Sequence, residues 1–516
     1  MKPIRLVSGF LTVGMWTMAS RILGFVRDAI ILNYLGTGPA YEAYVVAFRL
    51  PNMFRRFFAE GAFNMAFIPQ YSKRLAGEGE DQADEFASQA FAGLASVLIL
   101  LTLLAQLVMP WLIYGLASGF AGQDQYDLSV VFGRIAFPYI LFISLAALLS
   151  GVLNAHGRFA AAAAAPVLLN MLVISSMVFA VLGGFDIAYA LIWTIPVAGV
   201  AQMILVWIAA RRAGFQLTWM RPRWTPEMRR LVRVAIPAAL AGGVVQVNLL
   251  VGQQVASYFD RAVGWLYAAD RLYQLPLGVV GIAIGIVLLP DLSRRLKDSD
   301  DAGSRDALSR AAEISLALTI PAAVALVVIP LPLVSVLFER GATRADDSAA
   351  IAVAVAIYGL GLPAFVMQKV LQPLFFARED TRTPFYYALV AMVVNAAIAI
   401  GLAFVIGWLA SAIATTLAGW VMVGLLTIGG RRFGDVARFD TRFRTRIWRI
   451  IAAALAMGAI LWGGMVLLTP FLGMAGIRYG ALAALVFLGI VSYFVIGQVI
   501  GAFRLSEFKS AMRRGG

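Results

Sequence analysis

From near the amino terminus to residue 502, apolar stretches of about twenty residues or more follow one another, parted only by short polar gaps. A hydrocarbon layer about 30 Å thick takes about 20 residues of helix to cross. No water is present there to satisfy backbone groups, so a stretch that crosses it is constrained to be helical. The chain is 61% hydrophobic and 14% charged, against about 45–50% apolar in soluble domains. The predicted class is an all-α polytopic membrane protein.

Fourteen spans are expected, near 8–35, 40–70, 88–114, 128–153, 162–184, 187–210, 234–258, 264–290, 311–338, 349–376, 384–406, 408–429, 448–470 and 479–502. Lys2 and Arg5 before an apolar run ending at Ala19 and Ser20 imitate a cleavable signal peptide. The sequence beyond Ser20 continues into further apolar residues, so this segment reads as one long, interrupted first span. With the amino terminus inside, inner segments and tails carry 30 Lys and Arg, and the outer side only Arg261, Arg340, Arg344 and Arg478. That bias places both termini in the cytoplasm by the positive-inside rule. The net charge of +14 is thereby read as topology, and no nucleic-acid partner is expected. Trp219 and Trp224, among the arginines of 211–233, suit an amphipathic interfacial helix.

The sequence also matches itself. Ile68-Pro69-Gln-Tyr-Ser72-Lys73-Arg74 resembles Leu289-Pro290-Asp-Leu-Ser293-Arg294-Arg295, and Ala47-Phe-Arg49-Leu50 falls against Ala269-Asp-Arg271-Leu272. Pro138 and Asn170 lie against Pro363 and Asn395, both 225 residues on. Span n pairs with span n+6, and an even offset gives both halves one orientation, as in parallel-repeat transporters. The expected organisation is two six-helix lobes around a central cavity, 1–215 and 216–435, followed by two further helices and a tail in 436–516.

Apart from Arg449, which stands at the inner edge of its span and is counted with the inner segments, eight basic residues fall inside expected spans: Arg21, Arg27, Arg49, Arg55, Arg56, Arg134, Arg271 and Lys369. Each costs about 2.5–3.5 kcal/mol at a helix centre on insertion scales, so lipid is an unfavourable neighbour and a wet cavity or a paired partner a favourable one. Asp28, Glu60 and Asp270 are available partners for Arg27 or Arg21, Arg56 and Arg271. Arginines exceed carboxylates in the first two spans, and surplus guanidinium groups in a cavity suit a phosphorylated substrate, which they bind bidentately. Arg134 and Lys369, near helix ends, can snorkel. Gly24, Pro51, Pro276 and Gly278 accompany these charges and provide bending points.

Enzymatic signatures are absent. Zero cysteines and the single His156 exclude thiolate and multi-histidine metal centres, and no phosphate loop or nucleophile elbow occurs. Glu42 could serve as the acid of a lipid-linked glycosyltransferase, but the outward loops are too short to build an acceptor site. No catalytic residue, metal or cofactor is expected, which leaves transport.

Ser20-Arg-Ile-Leu-Gly-Phe-Val-Arg-Asp28, Phe48-Arg-Leu-Pro-Asn52, Arg55-Arg-Phe-Phe-Ala-Glu-Gly-Ala-Phe63 and Ala269-Asp-Arg-Leu272 resemble the MurJ (MviN) lipid II flippases of the multidrug/oligosaccharidyl-lipid/polysaccharide exporter superfamily. The resemblance runs over essentially the whole chain. It implies movement of the undecaprenyl-diphosphate-linked peptidoglycan precursor from the inner to the outer leaflet of the bacterial cytoplasmic membrane, with the last two helices forming a groove for the lipid tail. Carried over by motif, substrate-binding arginines fall on Arg21, Arg27, Arg55 and Arg271, with Arg49 where a basic residue is usual and Asp28 as charge partner. Gln274 stands at a position acidic in some members. Some relatives bind sodium through an aspartate of span seven; 237–258 contains no acid, its polar residues including Gln246 and Asn248, so that site is not expected here. Coupling to membrane potential or protons stays open. Expected partners are lipid II, membrane lipids and cell-wall synthesis proteins. The alternatives are a flippase for another polyprenyl-diphosphate oligosaccharide, a drug exporter of the same superfamily, or a non-transporting scaffold.

Overall fold

The computed structural model describes residues 3–55, 62–298 and 300–503, and every regular element among them is helical. The helices are α1 (Pro3–Leu35), α2 (Pro39–Arg55), α3 (Ala62–Gly77), α4 (Glu80–Leu116), α5 (Asp124–Ala136), α6 (Tyr139–Ala155), α7 (Ala160–Gly183), α8 (Ile187–Arg212) and α9 (Pro226–Ala256). They continue as α10 (Ala262–Lys297), α11 (Asp301–Val328), α12 (Pro330–Phe338), α13 (Ala345–Phe376), α14 (Arg382–Ile406), α15 (Leu409–Gly430), α16 (Thr441–Leu472) and α17 (Ile477–Val499). Among the described residues ten spans are long and apolar enough to cross a membrane: α4, α5 with α6, α7, α8, α11, α13, α14, α15, α16 and α17. The other four expected stretches fall on α1, on α2 and α3, on α9 and on α10.

Three local expectations are corrected. The fourth expected span is two helices, because Pro138 brings no N–H and its ring opposes a continuous ladder. The ninth breaks at Ile329, after which Pro330 opens α12 at the position where a missing N–H costs nothing. Residues 213–225 form no interfacial helix; Gly214 has φ 103°, and Pro222 and Pro226 interrupt any run.

The chain divides into two compact units, 1–264 and 265–516. In the first, α2 packs on α5, α7 on α1, and α6 and α7 both on α8, while α9 lies against α3 and α4. In the second, α13 and α14 both pack on α15, α11 bridges α13 and α16, and α16 pairs with α17. The pairings α6–α8 and α7–α8 thus recur as α13–α15 and α14–α15.

Lipid tails are as apolar as leucine, so close packing rather than escape from water holds such helices together. Glycines make that approach possible. A Cβ on Gly199 of α8 would sit 2.8 Å from the Tyr139 ring of α6, and one on Gly489 of α17 would sit 2.9 Å from Leu461 of α16. The outward surface is apolar, as a lipid solvent requires: Leu100, Leu104, Leu107 and Trp111 of α4 and Phe404 and Val405 of α14 are exposed. Charges gather at helix ends. The buried Glu313 of α11 meets Arg310 at 3.3 Å, Arg442 at 3.4 Å and Arg446 at 2.5 Å, tying α11 to the start of α16.

Candidate functional site

Arg21, Gly24, Arg27 and Asp28 recur at three- and four-residue spacing along α1, so they share one face. Arg27 is buried, 8% exposed. Its Nε and Nη2 donate to Asp28 Oδ1 at 2.9 and 2.7 Å, and its Nη1 donates to Asn170 Oδ1 of α7 at 2.9 Å. The Asn170 amide then donates to the Ser20 carbonyl at 3.0 Å. This arrangement needs α7 close to α1: a Cβ on Gly24 would touch the Asn170 side chain at 3.6 Å. Asp28 is thus engaged with Arg27, and among the described residues the buried Nε of Arg21 has no hydrogen-bond partner.

On α2, Arg49 donates from Nη1 to Gln253 Oε1 of α9 at 2.6 Å, and Gln253 in turn donates to the Leu116 carbonyl at 3.3 Å. Arg55, at the end of α2, donates from Nε and Nη2 to Asn52 Oδ1 at 3.2 and 3.0 Å. Amides such as these fix a guanidinium's direction, and Asp28 and Asn170 do the same for Arg27. Glu60 lies outside the described residues.

Arg271 and Asp270 belong to the second unit, on α10. The Arg271 guanidinium lies over the Tyr267 ring, 4.2 Å from its centroid, a cation–π contact. Asp270 accepts a hydrogen bond from the Gln274 amide, so the residue at the position acidic in some members engages the neighbouring carboxylate. Through Gly24, Pro51, Pro276 and Gly278 the helices α1, α2 and α10 run on without interruption. His156 lies at the α6–α7 turn, with its Nδ1 3.0 Å from the Val152 carbonyl oxygen.

Sequence reasoning passed over Asn170 as a site residue, noting it only as a repeat marker, and set Glu42 aside. Glu42 is fully buried, and its Oε1 accepts the N–H groups of Val263 and Gly264 at 3.0 and 3.3 Å, at the first turn of α10. A side-chain oxygen there satisfies N–H groups that the first turn of a helix leaves without an intrahelical acceptor. The available signal was the polar residue type itself within an apolar stretch. Among the described residues no cluster of three or more His, Asp or Glu could hold a metal ion.

A bundle of apolar, outward-greasy helices with arginines oriented inside one unit by amides is the frame of a multi-pass membrane transporter. Solved structures share that frame: "Lipid II flippase MurJ, inward closed conformation" superposes with a TM-score of 0.80 at 23% identity over 95% of this chain and 98% of that one. An inward-facing multidrug resistance MATE family transporter gives 0.68 at 16% identity, over 83% and 95%. The family described as Lipid II flippase MurJ matches residues 31–488, and the chain belongs to that family. "Probable lipid II flippase MurJ" of Rhizobium tropici is 41% identical over 99% of this chain and 97% of that protein. Its counterpart in Rhizobium meliloti (strain 1021) is 42% identical over 99% and 97%.

Proposed function

We infer that this protein flips lipid II, the undecaprenyl-diphosphate-linked disaccharide peptide, from the inner to the outer leaflet of the bacterial cytoplasmic membrane. The observation that supports the mechanism is a set of arginines on α1 and α2 held in fixed directions, Arg27 by Asp28 and Asn170, Arg49 by Gln253 and Arg55 by Asn52. Guanidinium groups already pointed by neighbouring side chains lose less rotamer freedom on binding a diphosphate. Arg271, stacked on Tyr267, contributes the cation of the second unit.

Both termini face the cytoplasm in this reading, so the head group is admitted from inside. Neutralising the arginines with the diphosphate lowers the cost of closing around them, and alternating access exposes the load outside. The prenyl chain stays in the bilayer, along α16 and α17. In this reading no bond is made or broken, and no cofactor is called on. Cell-wall synthesis enzymes are the natural recipients of the product. A cationic-drug exporter would need surplus carboxylates, where α1 and α2 carry surplus arginines. A flippase for another polyprenyl-diphosphate glycan shares the electrostatics and is separated by experiment.

The test is exposure of lipid II to an externally added, membrane-impermeant cleaving enzyme, in cells depleted of their own flippase. Rescue by the native chain and not by Arg55→Ala, at equal membrane abundance, is the expected result. Failure of both at confirmed abundance moves the substrate to another polyprenyl-linked glycan; rescue by both removes the arginine mechanism.

A further inference from the structure

The stretch between α8 and α9 is the longest described segment without regular structure, and it is nevertheless held in place. The Gln216 N–H donates to Asp84 Oδ2 at 2.9 Å, and the Thr218 N–H donates to Ser88 Oγ at 3.1 Å. Phe215 is buried, and the Trp219 ring meets Phe91 edge to face, centroids 6.4 Å apart. The segment therefore follows the first turns of α4. What it turns outward is two tryptophans, Trp219 at 89% and Trp224 at 65% exposure, with Arg221 and Arg223, also exposed, between them. Residues 211–233 hold seven arginines and one acid, Glu227, which lies 3.8 Å from Arg74.

Helix α4 supplies a ruler. Its exposed Leu100, Leu104 and Leu107 face lipid, and the exposed Trp111 stands near its far end. From Phe91, where Trp219 docks, to Trp111 is twenty residues, or about 30 Å along the axis. That is the thickness of the hydrocarbon layer, and tryptophan is the residue that marks both of its boundaries. When Trp111 sits at one boundary, Trp219 sits at the other. Arg221 and Arg223 are then at the depth of lipid phosphates.

We propose that residues 216–225 are a docking strap for anionic phospholipid head groups, Trp219 and Trp224 seating in the interface and Arg221 and Arg223 engaging the phosphates. The inner leaflet is the one concerned, on the orientation given under Proposed function; the chemistry does not depend on that orientation. Polybasic segments beside membrane helices gain affinity from each arginine near an anionic surface. A ligand that binds only the folded chain raises its stability by linkage.

The experiment places the full chain in vesicles of phosphatidylcholine alone or with phosphatidylglycerol in both leaflets, and reads the thermal unfolding midpoint. Phosphatidylglycerol is expected to raise the midpoint of the native chain, and Arg221→Gln with Arg223→Gln to lose more than half of that rise while matching the native chain in phosphatidylcholine. Arg444→Gln, which removes an exposed arginine of α16, should keep the rise. A second reading uses the absence of cysteine: a spin label at Pro222→Cys should report the head-group boundary, and move into water when Trp219→Ala and Trp224→Ala are added. No rise in the native chain, an undiminished rise in the double variant, an equal loss with Arg444→Gln, or a label in bulk water with both tryptophans present overturns the strap.

Discussion

Arg27 and Arg55 look alike in the sequence, each an arginine inside an expected span, and the structure gives them different neighbours. Arg27 is enclosed by Asp28 and Asn170, so removing that carboxylate takes the opposite charge away from a buried guanidinium. Asp28→Ala is expected to destabilise the protein by about 3–5 kcal/mol, read as a lower unfolding midpoint in detergent. Arg55→Ala is expected to abolish lipid II exposure at native membrane abundance. Arg55→Lys keeps the charge and gives up the planar fork, so transport falls only in part; full activity would show that bidentate contact is not required. The sequence brings Asp28 beside Arg27 as a neighbour, and that much was legible. Asn170 was not, because it lies 143 residues away and an isolated asparagine in an apolar helix does not name its partner.

Among elements, the long apolar helices were legible because hydropathy and length alone decide them. The breaks at Pro138 and Pro330 were not, since a membrane helix can carry proline without stopping: α7 runs through Pro166 and α8 through Pro196. Helix pairing rests on small residues whose significance appears only with a partner in view. Gly489→Val on α17 would drive a side chain into Leu461, and overpacking of this kind costs about 1–3 kcal/mol. The expected result is a lower midpoint with the midpoint of Gly480→Val unchanged, because nothing lies within 4 Å of a Cβ there. At the start of α14, Asp380 accepts the Thr383 N–H at 3.0 Å and pairs with Arg432. Partial burial pushes its carboxyl up, but Thr383 and Arg432 together outweigh that and leave it below the usual aspartate range. A carboxyl depressed in the folded state contributes stability that is complete above the unfolded value, about 3.9, and is lost as pH falls through the folded value. Asp380→Ala should therefore lower the midpoint at neutral pH, by about 1 kcal/mol if the helix-end acceptor dominates. The gap between variant and native chain should close in strong acid; a gap independent of pH would assign the effect to packing.

At the scale of the whole molecule, charge bias predicts an orientation and a faint repeat predicts internal symmetry, two expectations summed over many residues and therefore insensitive to error at any one. The recurrence of α6–α8 and α7–α8 as α13–α15 and α14–α15 gives the repeat a physical form. The packing of α9 on α3 and α4 could not be read beforehand, since periodicity says which face is apolar and not which neighbour covers it. Orientation itself has a direct test, because a chain without cysteine accepts single reporter thiols with no background. With both termini inside, Asp260→Cys and Asp346→Cys lie on the outer side, and Gln82→Cys and Ala302→Cys on the inner side; all four positions are exposed. In intact cells with the outer barrier opened, an impermeant maleimide should label the first two at once. The second two should react only after the cytoplasmic membrane is permeabilised. The two positions on each side come one from each unit, so each unit is tested by itself. Reversal of all four would invert the orientation. Reversal in the second unit alone would show an even number of crossings between Asp260 and Ala302 in place of the single one expected, and would remove the parallel relation expected between the halves, on which rocking about a shared axis depends.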